Sequence, residues 1–451
     1  LELERVLSFV GQNKEEYLQK LFKILRQKSI SSQNDGVREC AVLLKELMEE
    51  IGIATQLIET DQFPIVYGEI ISDPSYFTLL FYGHYDVQPV DPIEEWKTPP
   101  FEPTIRNGKI YCRGVGDNKG QFMAHLFAIK AMLDVYGKLP INVKMVFEGE
   151  EESSSSSLPA FVRDHKEMLA ADLVYTSDGP MHESGAPLVL LGVRGVLCLE
   201  MIAKGADRDN HSGNKGNIVP NPAWMLIDLL RTMRDRDGKI LVEGFYDNIQ
   251  NPTEKELELL KRLPFNHQQV GKDIGYEKLN IDGETYYRKL MFEPTFNIAG
   301  FTSGYGGEGS KTIIPSTAKV KIDFRLVEKQ NPDDIFQKVC AHVKKHAPDI
   351  IVNHLGSMEP SRTSAENELV RIVEKAVADN YKQAPIVMPS LGGSLPDYVW
   401  TKILNVPSVV VPYANFDENN HSPNENLNLE NFFNGITCTC HVIDALGNLS
   451  I

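Results

Sequence analysis

The chain has 451 residues, a formal net charge of −16, and 42% hydrophobic and 24% charged residues. Single cores stop growing beyond roughly 250–300 residues, so two domains are expected. The acidic balance argues against nucleic acid as a partner, because phosphate binding needs a basic surface. No apolar run approaches the roughly 20 residues that span a bilayer.

The start, Leu1 to Lys20, is polar and helix-patterned and does not read as a signal peptide. Apolar residues at helical spacing follow in Tyr17 to Gln27 (Leu18, Leu21, Phe22, Leu25) and in Val37 to Ile51 (Ala41, Leu44, Leu47, Met48), which Gly52 ends. Phe77 to Tyr82 reads as a buried strand. Lys119 to Tyr136 is a helix ending at Gly137, Ile141 to Phe147 a strand, Leu158 to Leu169 a helix, and Ala171 to Tyr175 the start of a strand. Such alternation predicts an α/β sheet with helices on both faces.

The middle section reads differently. Strands at Leu188 to Leu191 and Val196 to Ala203 flank a turn-like Gly192-Val193-Arg194-Gly195. A helix at Pro222 to Met233 precedes a long polar stretch, Asp235 to Tyr287. Ala318 to Val327 alternates as a strand, and Pro332 to His346 is a helix. From about Ser361 the α/β pattern returns, with helix Glu366 to Asn380, strand Val406 to Pro412 and helix Leu429 to Leu446. The predicted fold is an α/β domain with a mixed, largely parallel sheet, over 1–188 and 358–451, and a smaller α+β domain inserted at 189–357. The six cysteines, Cys40, Cys112, Cys198, Cys340, Cys438 and Cys440, form no CxxC pair and read as free thiols of a cytoplasmic protein.

Ligands of open α/β sheets bind outside the carboxyl ends of the strands. At those ends lie Gly83-His84-Tyr85-Asp86, then Glu148 to Glu152, then Thr176-Ser177-Asp178-Gly179, and a loop leading to His421. Asp117 sits just before a helix. Imidazoles and carboxylates recurring at one sheet edge suit zinc or a similar divalent ion. Their number suits two ions, about 3.5–4 Å apart, activating water and polarising a carbonyl together.

The motifs Gly83 to Pro89, Trp96 to Phe101, Gly114 to Gly120, Glu148 to Glu152, Ser177-Asp178-Gly179 and Asn420 to Glu425 resemble, in order, the carnosinase and cytosolic non-specific dipeptidase family. That family is related to carboxypeptidase G, acetylornithine deacetylase and succinyl-diaminopimelate desuccinylase. The resemblance implies two divalent ions per subunit, Zn or Mn, with Co usable in vitro. It implies that His84 and Asp178 bind one ion, Glu152 and His421 the other, and that Asp117 bridges them beside a cis peptide to Asn118. It makes Asp86 a hydrogen-bond partner that fixes the His84 tautomer, and Glu151 the general base. Aligning Glu148-Gly149 with the family's EG dipeptide gives Glu151 and Glu152 these roles; a one-residue slip would give them to Glu150 and Glu151. The Ser153 to Ser157 run replaces a segment that usually carries Gly. Its small polar residues are expected to permit a turn and to cap the Leu158 helix. Cys112 stands where Gly is common and reads as a small packed side chain.

In the inserted domain the resemblance assigns Arg325 to a substrate carboxylate, which its planar fork matches. Asn297, Thr312 and Ser394 match substrate contacts, and His211 an oxyanion donor. It further implies a homodimer through this domain, with His211 and Thr312 reaching the other subunit's site. The edge of the Val196 to Ala203 strand is a candidate pairing surface. The expected substrate is a dipeptide or short peptide, with no membrane or nucleic-acid partner. The alternatives are an N-acyl amino acid deacylase or carboxypeptidase, against which the long Asp235 to Tyr287 segment weighs, and a non-catalytic metal-stabilised binding protein, against which Glu151 and the full ligand set weigh. Gly304 to Thr312 nearly matches a phosphate-cradling loop, but Ser310 breaks the spacing and no strand–helix context surrounds it. Gly114 to Gly120 is not the dinucleotide fingerprint. The serine run lacks a nucleophile elbow.

Overall fold

A computed structural model describes residues 3–449; Leu1, Glu2, Ser450 and Ile451 lie outside it. The chain divides into two compact units. One holds the chain up to Gly192, Arg362–Pro389 and the chain from Pro396 onward; the other holds Val193–Ser361 and Ser390–Leu395.

The first unit is built on an eight-stranded sheet. Strand Thr78–His84 lies at its centre, parallel to Asn142–Glu148 on one side and to Leu173–Thr176 on the other. Ser408–Val410 continues the parallel set beyond Leu173–Thr176, while Ile65–Ile70 and Ala54–Ile58 add antiparallel strands at one edge. The sheet is therefore mixed, with its middle parallel. Asn142–Glu148 is buried at every position, as a strand covered on both faces must be. Helix Lys119–Tyr136 is buried on nearly all sides through Met132, which explains its continuous apolar sequence. Leu80, Tyr82, Val146, Val174 and Trp400 form a core on the sheet.

The second unit carries a four-stranded antiparallel sheet in which Thr317–Leu326 and Gly195–Lys204 are central. Both strands alternate buried and more exposed positions. Their buried face packs on helices Pro222–Met233 and Pro332–His346 through Leu197, Leu199, Leu226, Val320, Phe324 and Val339.

Several elements depart from expectation. The Val196 to Ala203 strand offers no edge, because it is hydrogen-bonded to Thr317–Leu326 on one side and Ile351–Met358 on the other. The edges are Thr295–Ser303 and Ile351–Met358, two strands whose mixed polarity hid them. Leu188–Leu190, read with the middle section, pairs with Ile386–Met388 in the main sheet. Gly192–Val193 is extended rather than a turn. The polar stretch after Asp235 folds into helices Glu254–Arg262, His267–Asp273 and Gly283–Phe292, each started by a side-chain cap from Thr253, Asn266 or Asp282. The Leu158 helix ends at Asp164, and a second turn covers Lys166–Leu169. Among the described residues no helix is long and apolar enough to cross a membrane, and all six cysteines are unpaired.

Candidate metal centre

His84 ends the central strand, Glu151 and Glu152 follow its neighbour Asn142–Glu148, and Asp178 follows its other neighbour Leu173–Thr176. Parallel pairing aligns these carboxyl ends, so residues far apart in sequence meet at one edge. Asp117 and His421 arrive on loops of the same unit.

Asp117 lies between the two imidazoles. Its Oδ1 is 2.9 Å from His84 Nε2, and its Oδ2 is 3.1 Å from His421 Nε2. The other oxygens divide the same way. His84 Nε2 lies 3.7 Å from Asp178 Oδ2 and 3.9 Å from Glu151 Oε2. His421 Nε2 lies 3.1 Å from Glu152 Oε2. The peptide between Asp117 and Asn118 is cis. His84 Nε2 is fully buried and makes no hydrogen bond, although three carboxylates face it. Ligand atoms of His84, Asp117 and Glu152 fall within 4.8 Å of one another. An orphaned imidazole nitrogen among carboxylates is a donor set that fits a divalent ion.

The electrostatics agree. Burial pushes the Glu151 carboxyl well up against the opposing pull of His84, and Asp178 and Asp117 push it further. The Glu152 carboxyl is also raised, first by burial. Hydrogen bonds to Asp117 and Glu152 lift His421 to about 10. At His84 burial pulls down, but Glu151, Asp117, Asp178 and Asp86 outweigh it and raise the ring well above its usual range. Burial also works against ionised Asp117, but its hydrogen bond to His421 and the charge of the nearby His84 ring hold it below the usual carboxylate range. The cluster concentrates negative charge that protons on the two imidazoles only partly offset; a dication would offset it directly.

The three consecutive glutamates separate cleanly. Glu150 turns away: its Oε1 accepts from Phe63 N and Thr60 Oγ1, and its Oε2 from Ser157 N and Ser156 Oγ. Glu151 and Glu152 turn toward His84 and His421. Asp86 holds that register, because its two carboxylate oxygens accept the Glu151 and Glu152 backbone N–H groups at 3.2 and 3.1 Å. His84 Nδ1 lies 3.1 Å from the Asp86 backbone carbonyl, nearer than the 3.4 Å to its carboxylate. Gln88 Nε2 donates to Glu152 Oε2 at 2.8 Å. The serine run does not cap the Leu158 helix, since Ser157 makes no side-chain cap. Its serines serve the glutamates instead, Ser155 Oγ donating to Glu148 and Ser156 Oγ to Glu150. Ser154 and Ser155 take the left-handed conformation that glycine would favour. Cys112 is buried, as expected.

The substrate-contact candidates lie in the second unit. Arg325 Nη1 donates to Ser394 Oγ at 2.8 Å, and Ser394 donates to the Arg194 carbonyl. Asn297 is exposed and donates to Asp323. His211 and Thr312 come together on a two-stranded ribbon, where His211 pairs with Ile313 and Ser212 N donates to the Thr312 carbonyl. The exposed His211 ring accepts Gly213 N–H at Nδ1, 3.0 Å away. That bond leaves the proton of a neutral ring on Nε2, pointing a donor outward.

Glu425, Arg113 and Asn118 lie in or beside the segments Gly114–Gly120 and Asn420–Glu425, but only the folded chain shows what they hold.

A buried imidazole–carboxylate cluster at the carboxyl edge of an α/β sheet defines a metal-dependent hydrolase. Residues 80–445 match the model of peptidase family M20/M25/M40, and the chain belongs to that family. It is 30% identical over 466 residues to a Cys-Gly metallodipeptidase DUG1 of Candida albicans, covering 96% of this chain and 95% of that protein. It is 27% identical over 464 residues to the Beta-Ala-His dipeptidase of Homo sapiens, covering 96% and 90%. Among solved structures, the M20 family metallo-carboxypeptidase Sso-CP2 from Sulfolobus solfataricus superposes with a TM-score of 0.88 at 37% identity, over 96% of this chain and 100% of that one. The chain is thus a metallopeptidase, hydrolysing peptide bonds with metal.

Proposed function

We propose that this peptidase cleaves dipeptides and other short peptides bearing a free C-terminal carboxylate, using two divalent ions, Zn or Mn, and Glu151 as general base. The observation that carries the reading is the division of ligands about Asp117, whose two oxygens face His84 and His421, with Asp178 beside His84 and Glu152 beside His421. When bound, the ions supply Lewis acidity to the scissile carbonyl and the attacking water. Glu151 removes a proton from that water and delivers it to the leaving amine. Arg325, fixed by Ser394, binds the terminal carboxylate, with Asn297 and Thr312 completing the substrate contacts. His211 Nε2–H donates to the oxygen of the tetrahedral intermediate.

The first unit is the catalytic domain and the second a dimerisation and lid domain. The edge strand Thr295–Ser303 exposes Ile298 and Phe301, and Trp224 is exposed as well, which supports a homodimer. Six free thiols support a cytoplasmic location. A carboxypeptidase acting on longer chains is the second reading, favoured by the 37% identity to Sso-CP2.

A panel of dipeptides, tripeptides and N-acyl amino acids tests the substrate class, with amidated dipeptides as controls. Free dipeptides are expected to be turned over fastest. C-terminal amidation, and Arg325→Lys, are each expected to reduce kcat/KM, because a point charge cannot reproduce the planar fork. Equal rates on free and amidated dipeptides would remove Arg325 from this role.

The dimer is tested by complementation. His211→Ala and Glu151→Gln chains are each expected to be nearly inactive alone. Mixed and reassembled, they are expected to regain activity, since one site per heterodimer combines an intact Glu151 with the partner chain's intact imidazole. No recovery despite demonstrated subunit exchange would place His211 in its own chain's site, or in none.

A further inference from the structure

We infer that Glu425 and Arg113 are positioning residues that hold the Asp117 loop against the loop bearing His421, and so act more strongly on the ion site of His421 and Glu152 than on that of His84 and Asp178. This rests on the ligand assignment proposed above.

Glu425 lies four residues beyond His421, and its buried carboxylate faces back into the loop that carries Asp117. Oε1 accepts the N–H groups of Gly116 at 2.9 Å and Asp117 at 3.0 Å. Oε2 accepts Gly114 N–H at 3.0 Å and Arg113 Nη1 at 2.8 Å. The Glu425 backbone carbonyl accepts Cys112 N–H at 3.1 Å. Arg113 extends the node, donating from Nη1 to the Ser422 carbonyl at 3.3 Å and from Nη2 to the Pro89 carbonyl at 2.8 Å. Its guanidinium lies 5.3 Å from the Trp96 ring centroid. One ion pair, each side chain only 1% exposed, thus ties the Asp117 loop to the loop bearing His421.

A buried ion pair is a weak source of net stability, because desolvation offsets the attraction. Its geometric effect is large: four donors fix one carboxylate, and that carboxylate fixes the backbone N–H of the bridging ligand. His421 needs such support, since its side chain is 53% exposed and its backbone takes a left-handed φ of 55°.

The other ligands are held by different residues. Asn118 Oδ1 accepts the His84 N–H at 3.3 Å, and its Nδ2 donates to the Ser177 carbonyl at 2.6 Å, one residue before Asp178. Asp86 secures His84 from the far side of its ring. Disturbing Glu425 therefore reaches the His84 side only through Asp117 and its neighbour Asn118, while His84 keeps its contact to Asp86; the His421 side loses the tie between its own loop and Asp117 as well.

The experiment is a Zn titration of the metal-stripped full-length protein by calorimetry, with bound metal counted after dialysis. Wild type is expected to show two binding steps. In Glu425→Gln an NH2 group must face two donors, whichever way the amide turns. One step is expected to weaken roughly 10–100-fold, the range for a lost partner behind a ligand. It should be the step missing from His421→Ala, while the step missing from Asp178→Asn weakens less, through Asp117 alone. A merely structural defect would weaken both steps equally and lower the melting temperature of the metal-free protein. Equal weakening of both steps, or an unchanged titration, would overturn the inference. If Glu425→Gln fails to fold, Arg113→Lys decides by the same criteria, because it keeps the charge beside Glu425 but loses the fork to Ser422 and Pro89. A wild type that binds no metal would overturn the ligand assignment itself, and this inference with it.

Discussion

Glu151→Gln is expected to lower kcat roughly 10²–10⁴-fold, the usual contribution of a positioned general acid–base group, while metal content stays at the wild-type value. Gln keeps the shape of the side chain but cannot accept the proton. The Asp86 bond to the residue 151 backbone N–H is untouched by the change, so the loop keeps its place. Glu152→Gln is expected to behave oppositely. Its carboxylate lies 3.1 Å from His421 Nε2 and receives Gln88, so the variant loses metal and, with it, activity. Kinetics and metal analysis of the two purified variants separate these outcomes. If Glu152→Gln retained metal while Glu151→Gln lost it, the roles would be exchanged. Glu150→Gln belongs in the same series, since its oxygens are occupied by Phe63, Thr60, Ser156 and Ser157. Its metal content is expected to match wild type.

Removing the metal is expected to abolish turnover completely, and adding Zn, Mn or Co to restore it. The fully buried, orphaned His84 Nε2 and the crowded carboxylates provide for an ion. Without one, burial and neighbouring carboxylates keep Glu151 protonated at higher pH, so it is a poorer base as well as lacking an activated water. Activity is measured after exhaustive chelation and again after back-titration. Undiminished turnover in protein shown to be metal-free would refute the mechanism.

The chemistry of this chain was legible before its shape. His84, Glu152, Asp178 and His421 could be listed because each follows a strand end or lies on a loop leading from one, and Asp117 because it sits just before a helix; the structure gathers all five. The main helices were equally legible: Val37–Ile51, Lys119–Tyr136, Pro222–Met233 and Pro332–His346 run between the residues their periodicity marks. Strands of mixed polarity were not, because Thr295–Ser303 and Ile351–Met358 lie at sheet edges, where few positions are buried and no alternation develops. The helices after Asp235 were hidden for a related reason: their starts rest on caps from Thr253, Asn266 and Asp282 rather than on a long apolar face.

What the sequence determined by itself is the list of groups and the strand ends that present them, because residue type and local periodicity are properties of short segments. What only the tertiary structure decided is which groups face each other. The separation of Glu150 from Glu151 and Glu152 depends on where the Asp86 oxygens and the Phe63 and Ser157 N–H groups lie, and no local pattern distinguishes three consecutive glutamates. The tautomer of His211 depends on the Gly213 N–H, and the placing of Asp117 on a carboxylate 308 residues further along the chain. Hydrogen bonds to backbone N–H groups carry no side-chain signature, so their partners emerge only when the chain has closed on itself.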